Sequence, residues 1–193
     1  MKIIGLTGYA RSGKGTVAQL ITSAVGSFTE VTSFAAPMKN FCAELFGFNF
    51  DQLYGDKRDD PDPRWTRPDG TPLTSRFALQ TLGTEWGRGC DPDIWVKSGL
   101  RRAANSASDV VIFDDVRFLN EAKAIRKAGG ELWRIRRGDQ QRPHAHSSEA
   151  DIWSEAMGGL VTLEIDNSGT IDDLRWAVRR GMARLHLGRP CED

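Results

Sequence analysis

The chain has 193 residues, in which 26 lysine and arginine residues balance 26 aspartate and glutamate residues. This length suits one domain with one hydrophobic core, and the balanced charge gives no indication of a nucleic-acid or membrane surface. Three cysteines, Cys42, Cys90 and Cys191, form no C-x-x-C pair, which excludes a zinc ribbon and a disulfide framework and is typical of a cytoplasmic protein. No apolar run approaches the ~20 residues of a membrane span, and the N-terminal run is too short for a signal peptide.

Short apolar runs alternate with segments of helical periodicity along the chain. The runs predict five strands, at residues 2–7, 31–34, 109–115, 131–136 and 160–165. Helical spacing predicts helices after them, including one at 119–128 that Gly129 closes and a last one that Thr170 and Asp173 cap. Strands that alternate with helices predict an α/β fold, a parallel sheet with helices on both faces.

Residues 55–74 interrupt this alternation, because they are rich in proline and charge and almost without apolar side chains. We interpret this segment as a long loop without regular structure, of a kind that is usually functional or disordered. A helix that carries Leu79, Leu82 and Trp86 on one stripe follows it, and another helix is predicted from about residue 92 to 104. The tryptophans, including Trp86, are expected to be mostly core residues.

Residues 8–16, GYARSGKGT, have the G-x-x-x-x-G-K spacing of a phosphate-binding loop, or P-loop. Glycines let backbone N–H groups approach a polyphosphate, the helix that starts near Lys14 adds its positive dipole end, and the lysine reaches the β- and γ-phosphates. An apolar strand before the motif and an amphipathic helix after it support this interpretation. The candidate ATP contacts are Gly8, Arg11, Ser12, Gly13, Lys14, Gly15 and Thr16.

The same residues also contain a G-x-G-x-x-A pattern, formed by Gly13, Gly15 and Ala18, which is typical of dinucleotide-binding folds. Those folds need an acidic residue at the end of the second strand, and residues 33–36 are SFAA. The dinucleotide pattern also leaves Gly8 and Lys14 unexplained. A GTPase is excluded because the chain has no N-K-x-D segment.

The GKGT form of the loop resembles nucleoside monophosphate kinases such as adenylate kinase. Further blocks resemble, in family order, those of bacteriophage-type deoxynucleoside monophosphate kinases: residues 33–47 (SFAAPMKNFCAELFG), 76–96 (RFALQTLGTEWGRGCDPDIWV), 110–137 (VVIFDDVRFLNEAKAIRKAGGELWRIRR) and 144–149 (HAHSSE). A strict P-loop has Ser or Thr after the lysine, and that family often has Asp there, so Gly15 leaves the Mg²⁺ contacts of this position open.

The resemblance implies a single P-loop NTPase domain that uses ATP and Mg²⁺ to phosphorylate deoxynucleoside monophosphates. Its implied parts are a core at 1–36 and 106–193, a helical acceptor-binding insertion at about 37–105, and a small lid at about 137–157. It implies no nucleic-acid or membrane partner, a monomer or homodimer, and, for a phage-encoded protein, a location in the host cytoplasm.

A kinase of an acceptor that already carries a phosphate needs no general base, since its nucleophile is an anionic oxygen. Catalysis then depends on positioning and on neutralising charge, for which arginine and lysine are suited. Arg76 and Gln80 are four residues apart on one helix face, and we interpret them as contacts of the acceptor phosphate and of its base or sugar. The other acceptor candidates are Lys39, Trp86 and Arg88.

Asp114 and Asp115 end the third strand, at the edge of a parallel sheet where ligands bind. We expect one carboxylate, with Thr16, to order Mg²⁺ and the other to hold Arg117, although a plain helix-capping role is the alternative. The predicted catalytic residues are Lys14, Asp115, Arg117 and Arg137.

Around the predicted lid, Arg134 and Arg136 are expected to line one strand face, and Arg142 to lie in the lid itself. His144 and His146 have no further His or Cys nearby, which argues against a metal site.

Two alternative functions remain open from the sequence. A P-loop kinase of an alcohol acceptor, such as dephospho-coenzyme A, would need a general base, for which Asp114 or Asp115 would serve. A nucleotide-binding switch would bind ATP, hydrolyse it slowly and not respond to any monophosphate.

Overall fold

The structure is a computed structural model, which describes residues 1–26, 28–138 and 152–186. The chain divides into two compact units. The core unit comprises Met1–Phe34 and Gly99–Asp193, and the inserted unit comprises Ala35–Ser98. The boundaries that the sequence predicts lie after residues 36 and 105. The second observed boundary falls earlier, inside a helix.

The described part of the chain forms strands and helices that alternate in the core unit but not in the inserted unit. The strands are β1 (Lys2–Thr7), β2 (Thr29–Thr32), β3 (Pro61–Thr66), β4 (Pro72–Thr74), β5 (Val110–Phe113), β6 (Glu131–Arg136) and β7 (Leu163–Asp166). The α-helices are α1 (Lys14–Val25), α2 (Ala36–Phe46), α3 (Phe50–Leu53), α4 (Ser75–Gln80), α5 (Ile94–Ala104), α6 (Leu119–Lys127), α7 (Glu155–Gly158) and α8 (Ile171–Arg184). A π-helical segment, Thr81–Arg88, continues α4.

The core unit contains the five predicted strands as one parallel sheet, in the order β2-β5-β1-β6-β7. One face is covered by α1 and α8, whose apolar side chains recur at helical spacing. Val17 and Ile21 of α1 and Leu174 and Val178 of α8 are buried, and they belong to one cluster with Trp133 of β6. Burying side chains of this size contributes roughly 1.5–3 kcal/mol each.

The opposite face of the sheet is covered by α6 and by the C-terminal half of α5. Ile125 of α6 packs over Gly5 of β1, where a Cβ atom would lie 2.6 Å from Ile125 Cδ1. Phe34 stacks on Phe113 with ring centroids 4.3 Å apart, and Gly99 of α5 lies against Phe34. The prediction of an α/β fold with helices on both faces is therefore confirmed.

The register of the sheet decides which residues meet at its carboxyl edge. In β1, Gly5 pairs with Phe113 of β5, and Thr7 pairs with Arg134 of β6. The segments that follow these strands therefore leave the sheet on the same side. The strand order reverses around β1, and this is the crevice where open parallel sheets bind ligands.

The inserted unit contains a hairpin that the sequence did not reveal. Strands β3 and β4 pair antiparallel within the segment predicted to lack regular structure, so that prediction is wrong for Pro61–Thr66 and Pro72–Thr74. Leu73 of β4 is buried in an apolar cluster and the Trp65 ring of β3 packs edge-on to Phe46, and polar contacts fix the hairpin further. The buried carboxylate of Asp62 accepts hydrogen bonds from Gln52 Nε2 at 2.8 Å and from Arg64 Nε and Nη2 at 2.9 and 2.6 Å.

The helix predicted around Leu79, Leu82 and Trp86 is present, but it widens to π-helical geometry from Thr81 onward. A π-helix has more residues per turn, so an apolar stripe of period 3.6 does not continue through it. As a result Trp86 is 57% exposed, and its expected place in the core is wrong. No helix in the described ranges is long and apolar enough to cross a membrane.

Candidate active site

The P-loop joins β1 to α1 at the carboxyl edge of the core sheet. Its path needs three left-handed backbone conformations, at Gly8 (φ 144°), Arg11 (φ 63°) and Gly13 (φ 102°). At Gly8 a side chain would also collide with the backbone carbonyl of Ile135 in β6. The first and sixth residues of the motif are therefore glycine for conformational and steric reasons, as its spacing predicts.

Lys14, the first residue of α1, folds its side chain back over this loop. Its ammonium donates to the carbonyl oxygens of Gly8 at 2.7 Å and Tyr9 at 3.0 Å. The side chain is only 12% exposed. Burial lowers the pKa of Lys14, and the nearby Asp115 carboxylate opposes that shift. The ammonium is thus a poorly solvated cation inside the loop, where a phosphate would gain most from it.

Asp115 lies two residues beyond β5 and connects two cations. Its Oδ1 is 3.6 Å from Lys14 Nζ, and its Oδ2 accepts a hydrogen bond of 2.8 Å from Arg117 Nε. The structure therefore brings together three of the four predicted catalytic residues. Asp114 is partly buried, and its backbone N–H donates to Thr32 at the end of β2.

Glu121 is a residue of this region that the sequence-based interpretation did not single out. Its buried carboxylate accepts hydrogen bonds from the backbone N–H groups of Arg117 at 2.9 Å and Phe118 at 3.1 Å. These bonds satisfy backbone donors at the start of α6 and fix the turn that carries Arg117. A glutamate at the third position of a predicted helix was the signal that would have identified it.

Asn167 is a second residue that the sequence did not identify. It follows β7, and its Nδ2 donates to the carbonyl oxygen of Ser12 in the P-loop at 2.9 Å. No motif marks it, because the contact joins residues 155 positions apart.

The face of β6 next to the P-loop carries the two arginines expected there. Arg136 Nη1 lies 2.8 Å from Glu164 Oε1 of β7, and Arg134, which is buried, lies 3.7 Å from the other oxygen of Glu164. The Arg134 guanidinium also lies 4.6 Å from the ring centre of Trp153. The ring centres of Trp153 and of Tyr9 in the P-loop are 5.6 Å apart. The prediction that both arginines line a strand face is confirmed.

The predicted lid lies partly outside the described residues. Arg137 is exposed one residue past β6, and the backbone N–H of Gly138 donates to Ser168 Oγ at 2.7 Å. Arg142, His144 and His146 lie outside the described residues.

The candidate Mg²⁺ ligands are the hydroxyl of Thr16, which is exposed near the start of α1, and the carboxylates of Asp114 and Asp115. Across the described ranges, no three His, Cys, Asp or Glu side chains converge as a metal cage. Magnesium normally takes one or two protein oxygens and completes its shell with substrate phosphates and water. Hard oxygen donors at the mouth of a phosphate loop therefore fit the ion.

The predicted acceptor residues all lie in the inserted unit. Arg76 forms two hydrogen bonds with the Asp59 carboxylate, of 2.5 and 2.9 Å, and the Lys39 ammonium lies 3.9 Å above the ring of Tyr54. Gln80, at the end of α4, is half-buried, and Arg88 Nη1 donates to the Pro92 carbonyl oxygen at 3.3 Å.

Trp86 lines a cavity of about 450 Å³ within the inserted unit. The walls are Pro37, Met38, Phe41, Leu82, Trp86 and Trp95. The indole N–H of Trp95 is already bound to the Gly83 carbonyl oxygen at 2.8 Å. The cavity therefore offers apolar and aromatic surface and few hydrogen-bonding groups.

Comparison with known proteins identifies a relative that matches nearly the full chain. A protein of Acanthamoeba polyphaga mimivirus named "Putative deoxynucleotide monophosphate kinase" is 31% identical over 190 residues, which cover 90% of this chain and 92% of that protein. No family model matches the chain.

Among solved structures, a gluconokinase from Sinorhizobium meliloti 1021 has a TM-score of 0.50 at 17% identity, covering 95% of this chain and 93% of its own. A dephospho-CoA kinase from Campylobacter jejuni has a TM-score of 0.49 at 12% identity, covering 96% and 98%. At these identities the gluconokinase shows the P-loop kinase fold alone, and neither structure informs on the acceptor. The mimiviral relative is similar enough, over most of both chains, to show the family. The chain belongs to the nucleoside monophosphate kinase-like family.

Proposed function

We propose that this protein transfers the γ-phosphate of ATP to deoxynucleoside 5′-monophosphates, which yields ADP and the deoxynucleoside diphosphates. The observation that carries the proposal is the P-loop with the buried Lys14 ammonium, held beside Asp115 and Arg117. The name of the mimiviral relative supports the choice of acceptor.

In this proposal the core unit binds and activates the phosphates of ATP. Backbone N–H groups of the loop bind the polyphosphate, and Lys14 exchanges its two carbonyl partners for phosphate oxygens, which are better partners because they are charged. Thr16, Asp114 and Asp115 are the residues that would hold Mg²⁺, which would neutralise phosphate charge when bound. Arg117 and Arg137 stabilise the charge of the transferring group, and no general base is required.

The inserted unit supplies the acceptor contacts in this proposal. Arg76, with its planar guanidinium already paired to a carboxylate, has the geometry to bind the 5′-phosphate bidentately after it releases Asp59. Lys39 and Arg88 add positive charge, and Gln80 contacts the base or sugar. Trp86 offers an exposed aromatic face against which a base can stack.

The test is a coupled assay of ADP release with ATP and Mg²⁺, in which dAMP, dCMP, dGMP, dTMP and their ribose counterparts are offered separately. We expect turnover with some of the deoxynucleoside monophosphates and weak turnover with the ribonucleotides. Background ADP release with every nucleotide would refute the acceptor assignment. Dephospho-coenzyme A in a parallel reaction tests the alcohol acceptor.

Replacing Lys14 tests the phosphate site directly. Lys14→Ala is expected to lower turnover about a hundredfold or more, since it removes the cation nearest the transferring phosphate. The fold is expected to survive, because burial of that cation is itself unfavourable. Lys123→Ala, on the exposed side of α6, is the matched control and should retain activity. Near-normal turnover of Lys14→Ala would contradict the proposal.

A further inference from the structure

Asn167 connects the end of β7 to the middle of the P-loop. Its backbone N–H donates to the carbonyl oxygen of Arg136 at 2.7 Å, which continues the pairing of β7 with β6 by one residue. Its side-chain Nδ2 donates to the carbonyl oxygen of Ser12 at 2.9 Å. Since that partner is an acceptor, the amide must present its nitrogen and not its oxygen to the loop.

This bond fixes the orientation of one peptide group in the loop. The peptide between Ser12 and Gly13 is planar and trans, so its C=O and N–H groups point in opposite directions. Holding the Ser12 carbonyl oxygen toward Asn167 therefore turns the Gly13 N–H away from Asn167. In a P-loop the backbone N–H groups are the phosphate ligands, and a carbonyl oxygen turned inward would repel the phosphates.

We propose that Asn167 is a positioning residue for ATP binding, which fixes the Ser12–Gly13 peptide so that the Gly13 N–H is directed at the phosphates. This inference deepens the proposed function and rests on it. Asn167 itself touches no reacting atom.

Two features of the surroundings support the assignment. Gly13 has φ 102°, and a Cβ atom there would collide with the Asn167 amide, so the glycine makes room for this contact. The turn that carries Asn167 is held independently of the loop. Asp166 Oδ1 accepts from the backbone N–H of Ser168 at 2.9 Å, and Ser168 Oγ accepts from the Gly138 N–H at 2.7 Å. The amide is therefore presented by a structured turn and does not depend on the loop for its place.

The test compares ATP affinity and turnover in Asn167→Ala and Asn167→Asp with those of the unaltered protein. Asn167→Ala is expected to weaken MgATP binding about tenfold, which equals roughly 1.4 kcal/mol and is the size of one lost hydrogen bond. Turnover at saturating ATP should fall by less than about threefold, because binding reorders the loop. Asn167→Asp, which has the same shape, should weaken binding further because its carboxylate faces the Ser12 carbonyl oxygen and repels the phosphates.

Thr22→Ala is the matched control. Thr22 Oγ1 also donates to a backbone carbonyl oxygen, that of Ala18 in α1, at 3.0 Å, but it does not contact the loop. A purely structural role for Asn167 predicts that Asn167→Ala lowers the unfolding temperature but that both alanine variants keep the ATP affinity of the unaltered protein. The positioning role predicts a loss of affinity in the Asn167 variants alone.

Calorimetric titration with MgATP needs no acceptor, so the two proposals can fail separately. Affinity within twofold of the unaltered protein in both folded Asn167 variants would overturn the positioning role, whatever the acceptor. Weakened ATP binding in these variants, without turnover on any monophosphate, would support the positioning role and refute the proposed acceptor.

Discussion

The ion pair between Asp115 and Lys14 leads to a prediction that separates the role of this carboxylate from metal binding. Burial lowers the pKa of Lys14, whereas Asp115, through charge and hydrogen bonding, is the main influence that raises it. Asp115→Asn preserves the shape and removes the charge. Lys14 should then lose its proton, and with it the attraction for ATP, at a lower pH than in the unaltered protein.

The size of the effect follows from the distance between the two groups. Unit charges 3.6 Å apart attract with roughly 4–5 kcal/mol at an effective permittivity of about 20. The Asp115 side chain is 31% exposed, so solvent screens the pair, and a permittivity of about 40–80 gives roughly 1–2.5 kcal/mol. Removing this attraction leaves burial less opposed, so the pKa of Lys14 should fall further in Asp115→Asn.

Calorimetric titration with ATP in EDTA, at a series of pH values from about 7.5 to 10.5, measures this change without any contribution from Mg²⁺. The ATP phosphates are already ionised in this range, so the alkaline fall in affinity reports the protein. Affinity at neutral pH is not the diagnostic quantity, because the substitution also removes a negative charge that repels ATP. Asp114→Asn is the control, since Asp114 is the weakest of the charges acting on Lys14, and its profile should move less.

An alkaline fall in ATP affinity at the same pH in Asp115→Asn and in the unaltered protein would refute this reasoning. It would mean that the hydrogen bonds of Lys14 to the carbonyl oxygens of Gly8 and Tyr9, and not Asp115, determine the pH at which Lys14 loses its proton. A shift in Asp114→Asn as large as that in Asp115→Asn would likewise contradict it.

Two further predictions concern stability, measured by denaturant unfolding. Asp62→Ala should lower the stability of the inserted unit by roughly 2–3 kcal/mol, since it leaves the buried Gln52 amide without its partner. Arg64 lowers the pKa of Asp62, so the stability that the ionised carboxylate contributes should be lost as the pH falls below about 4. The variant lacks the carboxylate and should not show this loss. Gly15→Ala should stabilise α1 by roughly 0.5–1 kcal/mol, since no atom lies within 4 Å of the added Cβ. Gly13→Ala should instead destabilise the protein by about 1–3 kcal/mol, because Gly13 has a φ of 102°. Equal effects of the two glycine substitutions would contradict the loop geometry.

The core sheet was predictable because its signals are local and mutually consistent. Continuous apolar runs are typical of parallel strands buried on both faces, and the helices between them have apolar stripes of one period. The bounds of β1 and β6 match the prediction residue for residue. β2 was displaced by two residues, because its run continues into Ser33 and Phe34, which are buried beyond the end of the strand.

The inserted unit was less predictable because polar contacts and an irregular helix shape it. The hairpin depends on Asp62, whose partners Gln52 and Arg64 lie on either side of it in sequence. No periodicity encodes such a network. The π-helical turn after Gln80 likewise leaves no mark on the hydrophobic pattern that precedes it, so the exposure of Trp86 did not follow from its spacing.

The residues of the candidate site also differ in how well the sequence predicted them. The sequence identified Gly8, Gly13 and Lys14, because the backbone conformation and the charge that a phosphate requires restrict the residue types at those positions. It did not identify Asn167, because this residue acts on a backbone atom that any residue can supply. Glu121 was overlooked, although its place at the third position of a predicted helix was a signal. Groups that bind the ligand leave a motif, whereas a group such as Asn167, which orients a backbone atom far away in the sequence, leaves none. Orienting contacts of this long-range kind therefore have to be found from hydrogen bonds, and the loss of ATP affinity in the Asn167 variants tests whether such a bond controls the phosphate site.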